Sequence, residues 1–267
     1  MKNVTWIIES NVFAETCFDD MVAHLKENDM AHHIVRIIPF IHEIDGKVPD
    51  VTGPVVVYGS IGVQKLAATH GWLPGVFPVP TEIEAQRGLG DLYLNHDITR
   101  MKISAVATYL ADSYKGGNTV FIKPDTDTKE FAGQVIDALA FNTWYAGMLD
   151  SGYLADNDFD VVVSSPKKLG CEWRVVVADG KIVTSSLYRQ YQMVKAERNI
   201  IPEVEAVVME AHRRYPVQGA YVIDIAQAGD DYKVIEYNCV NSAGLYDCDA
   251  RAFIDAVTAF VEETYAE

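Results

Sequence analysis

The chain has no apolar stretch long enough to cross a bilayer, no internal repeat, no low-complexity segment and no long linker. A helical membrane span and a repeat array are therefore excluded. The opening Met1-Lys-Asn-Val-Thr-Trp6 reads as a strand and not as a signal peptide, so a cytoplasmic protein is expected. Cys17, Cys171, Cys239 and Cys248 contain no C-x-x-C pair; their spacing is wrong for a structural zinc site, and reduced, structural thiols are expected. Basic residues are few: 22 Lys and Arg stand against 38 Asp and Glu, a net charge of −16. That balance disfavours a broad nucleic-acid or anionic-membrane footprint, although a local basic cluster can still hold phosphate. The Gly-x4-Gly-Lys-Ser/Thr loop and the protein-kinase signatures are missing too, which argues against a P-loop enzyme and a protein kinase. The seven histidines are spread out; His32 and His33 adjoin, but neighbouring positions do not converge, and no histidine is assigned a catalytic role.

What is present is an ordinary globular composition, 49% hydrophobic and 22% charged, in 267 residues, enough for one large domain or two to three small ones. Val4 to Glu9, Ile34 to Pro39 and Pro54 to Tyr58 read as strands alternating with helices, the pattern of a small parallel α/β domain over residues 1–80. Its Gly59-Ser-Ile-Gly62 turn sits where a helix N-terminus could take an anion, but lacks the dinucleotide fingerprint; a plain tight turn is the default. Residues 81–267 form the second expected domain. There, 81–115 read as mainly helical, Thr119 to Pro124 as a strand, Asp125 to Lys129 as a polar loop leading to a further helix, and Phe159 to Ser164 as a β-branched strand. A hairpin turns about Asp179-Gly180, a helix starts near Pro202, and a final amphipathic helix starts near Asp249.

The most informative segment is the hairpin from Tyr221 to Asn238, because it sets Asp224, Glu236 and Asn238 into β-strand runs. Buried carboxylates need a partner or a metal, and three oxygen donors suit a hard cation such as Mg²⁺. Alternation places Val222, Asp224 and Ala226 on one face and Tyr221, Ile223 and Ile225 on the other; Val234, Glu236 and Asn238 are expected to share a face. A three-residue loop, Gly229 to Asp231, opposes Asp224 to Glu236, whereas a two-residue loop opposes Asp224 to Ile235. A solvated strand face is the alternative reading.

Lys123 stands in an apolar strand before Pro124, where it either reaches solvent or serves a site. Glu172 and Arg174 share a face, and Arg189 closes the partner strand; each arginine alone suits a surface ion pair, or a phosphate held by forked hydrogen bonds. Together, one lysine, two arginines and three oxygen donors match what a triphosphate requires.

The order of these motifs resembles the R2K clade of the ATP-grasp superfamily of carboxylate–amine ligases. The likeness is carried by Phe121-Ile-Lys-Pro124 with Asp125, Lys129-Glu-Phe131 and Gly133; by Cys171-Glu-Trp-Arg-Val-Val-Val177 with Gly180 and Arg189; and by Tyr221 to Asp224 with Val234 to Asn238 and Ser242 to Tyr246. It covers about residues 95–260. The resemblance implies an ATP-grasp fold, α+β in its C-terminal part, preceded by the small α/β domain. It implies ATP and Mg²⁺ as cofactors. Lys123, Lys102 and Lys129 would contact ATP phosphates; Val161, Val162, Val163 and Ser164 would be the hinge whose backbone reads adenine; Glu172 would lie near the nucleotide. Arg174 and Arg189 would stabilise the transferred phosphoryl group, and Asp224, Glu236 and Asn238 would hold Mg²⁺. The loop after Lys123 departs from the glycine-rich loop of many relatives, and its backbone is less permissive.

The activity implied is ATP-dependent ligation of small-molecule or peptide carboxylate and amine substrates through an acyl phosphate. A non-catalytic ATP-binding module and a small-molecule kinase remain the alternatives. Gln190 to Asn199 is polar without a clean period, and reads either as a lid or as a solvent loop.

Overall fold

The structure is a computed structural model that describes residues 4–12, 16–38, 41, 43–112, 119–127, 130–151, 158–191 and 193–265. The N-terminal strands are β1 (Thr5–Glu9), β2 (His32–Val35) after helix α1 (Thr16–Glu27), the short ribbon β3 (Ile37–Ile38) and β4 (Glu43–Ile44), β5 (Val55–Tyr58), and β6 (Pro74–Gly75) after α2 (Ile61–His70). β2, β1, β5 and β6 form a parallel sheet in that order. A parallel sheet is covered on both faces, and alternation shows how. Ile7, Val55 and Val57 pack with Val63 and Leu66 of α2, while Trp6, Ile8, Val56 and Tyr58 pack with Met21 and Leu25 of α1.

A second sheet follows. After α3 (Glu82–Leu89) come β7 (Thr99–Lys102), α4 (Val106–Asp112), β8 (Thr119–Pro124), β9 (Gln134–Asp137), α5 (Ala138–Asp150) and β10 (Asp160–Ser164). These strands run antiparallel in the order β7, β10, β8, β9. β7 lies in the stretch expected to be helical, and β9 stands before the helix expected after the polar loop. Both are four residues long and take their conformation from the ladder.

The third sheet contains β11 (Cys171–Ala178), β12 (Lys181–Gln190), β13 (Met193–Glu197), β14 (Ala220–Ala228) and β15 (Asp231–Asn238), with α6 (Pro202–Arg214) before β14 and α7 (Ala250–Thr264) after β15. Its order is β13, β12, β11, β14, β15. Gln190 to Asn199 is thus not a loop throughout, since β13 lies within it as the exposed edge strand. Trp173, Val175, Val177, Ile223, Ile225 and Val234 face Val204 and Val208 of α6. The opposite face has two halves. Val176, Ala178, Ala220 and Val222 join α7 and the N-terminal sheet in one apolar core, where Phe253, Ile254, Val257 and Val261 are at most 1% exposed. Each such side chain stabilises by roughly 1.5–3 kcal/mol when buried. Glu172, Arg174 and Asp224 occupy the other half.

Both hairpins use two-residue turns. Asp179 and Gly180 take φ +50° and +70°, as a type I′ turn requires. In the β14–β15 hairpin Ala228 pairs with Asp231, so the loop is Gly229-Asp230, with Gly229 at φ +67°. That corrects the expected three-residue loop. Asp224 still faces Glu236, because the register shifts at Ile235: Ile225 pairs with Val234, and Asp224 with Glu236. One bulge residue turns Val234 to the apolar face and Glu236 to the polar one. Val234 therefore does not share a face with Glu236 and Asn238.

Candidate active site

The site sits where the second and third sheets meet. On β8, Val120 and Ile122 enter the core of the second sheet, so Lys123 is presented on the other face with Phe121. Pro124 ends the strand, and the buried Asp125 then docks α3: its main-chain oxygen accepts from Glu82 N–H at 2.8 Å and its Oδ1 from Ile83 N–H at 3.0 Å. A carboxylate at a helix N-terminus is favourable, and this contact brings the first residue of α3 against Lys123. The Lys123 ammonium lies 2.9 Å from Glu82 Oε1 and 2.5 Å from Glu236 Oε2. The Tyr93 hydroxyl donates to the other Glu82 oxygen.

The chain of contacts continues across β15 and β14. The Asn238 amide donates to Glu236 Oε1 at 3.1 Å and to Asp224 Oδ2 at 3.2 Å. Arg174 grips Asp224 with two bonds, Nε to Oδ1 at 3.0 Å and Nη2 to Oδ2 at 2.7 Å, and donates a third to the Gly244 carbonyl at 2.7 Å. The guanidinium lies against the rings of Tyr188 and Tyr246, 5.5 and 5.0 Å from their centroids, and the two rings stack on each other 4.8 Å apart. Tyr188 donates to Glu172 Oε2 at 2.7 Å, and Arg189 Nη1 lies 3.7 Å from Glu172 Oε1. A cleft of about 460 Å³, lined among others by Glu82, Lys123, Asp127, Phe131, Glu236 and Asn238, opens beside this network. That volume suits a small-molecule site.

The electrostatics differ along the network. Burial lifts the Glu82 carboxyl to about 7; Lys123 offsets this only in part, and the charge of Glu236 adds to it. Burial presses Glu236 the same way, but the Lys123 charge and the bonds from Lys123 and Asn238 outweigh it and hold the group below its usual range. The neighbouring carboxylates raise Lys123 well above its usual value despite burial. Burial raises Asp224 against the pull of Arg174, and Asp224 keeps Arg174 protonated against the same burial.

Lys123, Glu172, Arg174, Asp224, Glu236 and Asn238 are thus brought together, with Arg189 at the rim. The other expected positions are not. Lys102 lies on the edge strand β7, half exposed, 3.5 Å from Asp160 Oδ1. Val161, Val162 and Val163 are buried in a strand paired on both sides, so their backbone groups belong to the ladder and not to a base; Ser164 pairs with Phe121 alone. After Ser164 the chain leaves the ladder, and Ser165 N–H donates to Asp97 Oδ2 at 3.0 Å instead. Lys129 falls outside the described residues.

Asp224, Glu236 and Asn238 supply oxygen donors only, the chemistry of a hard cation. In the structure the donors of Lys123, Arg174 and Asn238 occupy the carboxylate oxygens, so the positive charge that a metal would bring is supplied by the protein itself. Turning the Asn238 amide by half a turn about its last bond would present its oxygen to the same place. The residues therefore fit Mg²⁺. Among the described residues no three His, Cys, Asp or Glu side chains form a metal cluster.

Sequence reasoning misses Glu82, Tyr93 and Asn241. Thr81-x-x-Glu84 announces only a capping box, which forms, and nothing local marks Glu82 beside it as buried. Asn241, 1% exposed, fastens the loop after β15 to the N-terminal sheet by donating to the Val57 and Gly75 carbonyls. The Gly59 to Gly62 turn proves to be a plain one. Ser60 caps α2, and the buried Glu9 carboxylate, accepting from Ser60 N–H and Oγ–H at 2.7 Å, takes the place an anion would need. Gly59 makes this approach possible, since a Cβ there would lie 2.5 Å from Glu9 Cβ.

Residues 93–256 match the ATP-grasp domain of R2K clade family 2. No curated protein matches the sequence. Among solved structures, D-cycloserine synthetase DcsG superposes with a TM-score of 0.66 at 12% identity, covering 96% of this chain and 99% of that one. D-alanine–D-alanine ligase from Bacillus anthracis complexed with ATP gives 0.60 at 14%, covering 99% of each. ATP-grasp ligase PsnB complexed with precursor peptide PsnA2 and AMPPNP gives 0.52 at 16%, covering 97% and 98%. At these identities the likeness establishes the fold: ATP-grasp, with a parallel α/β sheet before two antiparallel sheets. The family match spans more than half the sequence, and the chain belongs to the ATP-grasp domain family of the R2K clade, family 2.

Proposed function

We propose that the protein is an ATP-dependent carboxylate–amine ligase that works through an acyl phosphate. The observation that carries this reading is the continuous run Lys123–Glu236–Asn238–Asp224–Arg174 beside a cleft between two antiparallel sheets. Lys123 aims a positive charge at the cleft for the triphosphate. Asp224, Glu236 and Asn238 would hold Mg²⁺, which neutralises phosphate charge when bound. A substrate carboxylate oxygen attacks the γ-phosphorus, the bond to the β-phosphate oxygen breaks, and ADP leaves. The amine nitrogen then attacks the acyl carbon, phosphate departs, and the nitrogen loses a proton. Positioning and preorganised charge do most of the acceleration in such chemistry.

The two arginines divide the work. Arg174 spends three of its five N–H donors on Asp224 and Gly244 and is buried, so its main task is to position a metal ligand. Arg189, with a side chain 44% exposed, is the one free to meet the transferred phosphoryl group. The backbone that would read adenine lies within residues 166–169, between Ser165 and Gly170, whose N–H groups already bond Asp97 and Gln227. Residues 1–80 and 81–267 act as substrate and nucleotide domains, with α7 packed against both. Small-molecule and peptide substrates are both compatible with the names of the structural neighbours.

ADP release, measured with candidate acids and amines, tests the reading. Turnover is expected only with an acid, an amine and Mg²⁺ together, and is expected to vanish in Asp224→Ala, Glu236→Ala. ADP formation surviving in that double variant removes the metal assignment; a phosphorylated product with no amide removes the ligase.

A further inference from the structure

Lys123 is held by two carboxylates with different freedom. Glu82 is fixed three ways: its main-chain N–H bonds Asp125, one carboxylate oxygen accepts from Tyr93, and the other faces the Lys123 ammonium at 2.9 Å. Its side chain is 9% exposed; that of Glu236 is 29% exposed and opens to the cleft. Glu236 Oε2, 2.5 Å from the ammonium, is also an oxygen that a divalent cation would need. The ammonium and the cation compete for it, because like charges at that distance repel. An ammonium carries three donors, so Lys123 can leave Glu236 and still keep Glu82.

We propose that Glu82 is a positioning residue that keeps Lys123 in the cleft, and off Glu236, when a divalent cation binds. Without it, Lys123 has one carboxylate left and competes with the metal for it. The inference rests on the nucleotide reading above and adds a role for a carboxylate outside the metal set. Glu82 also explains why α3 is docked by a buried aspartate directly after the Lys123-Pro124 strand end: the dock sets the distance between the carboxylate and the ammonium.

The test uses the full chain and two probes. AMPPNP affinity is measured by calorimetry across a Mg²⁺ series, and Mn²⁺ binding without nucleotide by electron paramagnetic resonance. In Glu82→Gln the Mg²⁺ concentration for half-maximal nucleotide affinity is expected to rise about tenfold, the scale of one charge-assisted hydrogen bond, and saturating Mg²⁺ recovers most of the affinity. Lys123→Met shifts the Mn²⁺ midpoint the opposite way, to lower concentration, while nucleotide affinity falls. A merely structural Glu82 would lower AMPPNP affinity equally at every Mg²⁺ level. Tyr93→Phe keeps the Glu82 charge but frees one oxygen, and is expected to give a smaller shift in the same direction; it carries the test if Glu82→Gln does not fold. If wild type fails to bind Mg·AMPPNP, the nucleotide reading falls. If wild type binds and neither variant changes its Mg²⁺ dependence, the role of Glu82 alone is overturned.

Discussion

Two carboxylate–cation pairs, one within the third sheet and one bridging it to the second, are built to opposite ends. Arg174 and Asp224 are closed: both side chains are at most 10% exposed, the bond is a fork, and two tyrosine rings cover the guanidinium. Lys123 and Glu236 are open: a point charge meets a carboxylate at the cleft, with a second carboxylate behind it. Arginine suits the first because its planar fork fixes geometry, and lysine the second because an ammonium can trade partners. A site that must take in a charged ligand needs both, one pair that stays and one that exchanges.

The largest expected effect comes from breaking the closed pair. Arg174→Met leaves Asp224 charged and uncompensated in the interior, which costs about 3–5 kcal/mol in buried pairs. Urea unfolding should show that loss, and adding Asp224→Asn should restore much of it. If Arg174→Met alone costs under 1 kcal/mol, the pair is not closed, and the contrast with Lys123 disappears.

The open end should show itself in pH dependence. Glu82 binds its proton more tightly in the folded state than at its ordinary value of 4.5, its carboxyl having risen to about 7. The folded state then holds more protons than the unfolded one between those values, so the stability that Glu82 contributes is fully present below pH 4.5 and is lost as pH rises through 7. The rise corresponds to about 3 kcal/mol at most. Glu82→Gln should flatten this slope between pH 5 and 8. Glu236 contributes in the other direction and lower down: held below its usual 4.5, it adds stability above that value that is lost as pH falls further. A slope unchanged in Glu82→Gln would show that Glu82 is not the proton-binding group.

A smaller effect on folding is expected from Lys123→Met, because Glu236 can turn to water in the cleft and relieve its own charge. About 1.5–3 kcal/mol is the expected loss, the scale of hydrogen bonds to charged groups. Binding of Mg·AMPPNP should suffer more than stability does, the reverse of Arg174→Met.

Much of this contrast was legible in the chain. Alternation alone placed Asp224 on the polar face of β14 and Glu172 with Arg174 on the polar face of β11, and the structure pairs Arg174 with Asp224 across those strands. Alternation failed on β15, because a two-residue turn and the apolar demand of Val234 could both be met only by a bulge at Ile235. Strands β7, β9 and β13 were not legible. Thr99 to Lys102 and Met193 to Glu197 are exposed over nearly their whole length and so carry no period. Glu82 was hidden for a different reason: its burial is made by Asp125 and Lys123, distant in sequence, and local pattern holds no trace of such a contact.

The smallest effect on stability belongs to Arg189, and it is the sharpest test of how the arginines divide. Resemblance gives Arg174 and Arg189 one role, but their surroundings differ, and the proposed division of roles rests on that difference. Arg189 lies 3.7 Å from Glu172, with 44% of its side chain in solvent, and exposed pairs of that kind contribute about 0–1 kcal/mol. Arg189→Ala should therefore unfold within about 1 kcal/mol of wild type. Its ADP release should nevertheless fall by about 10²–10³, the usual effect of removing one donor aimed at developing charge, with AMPPNP affinity nearly unchanged. Lysine at this position keeps the charge but loses the fork and should recover only part of the rate. If Arg189→Ala turns over normally, charge on the phosphoryl group is met from elsewhere in the cleft, and Lys123 becomes the first residue to examine.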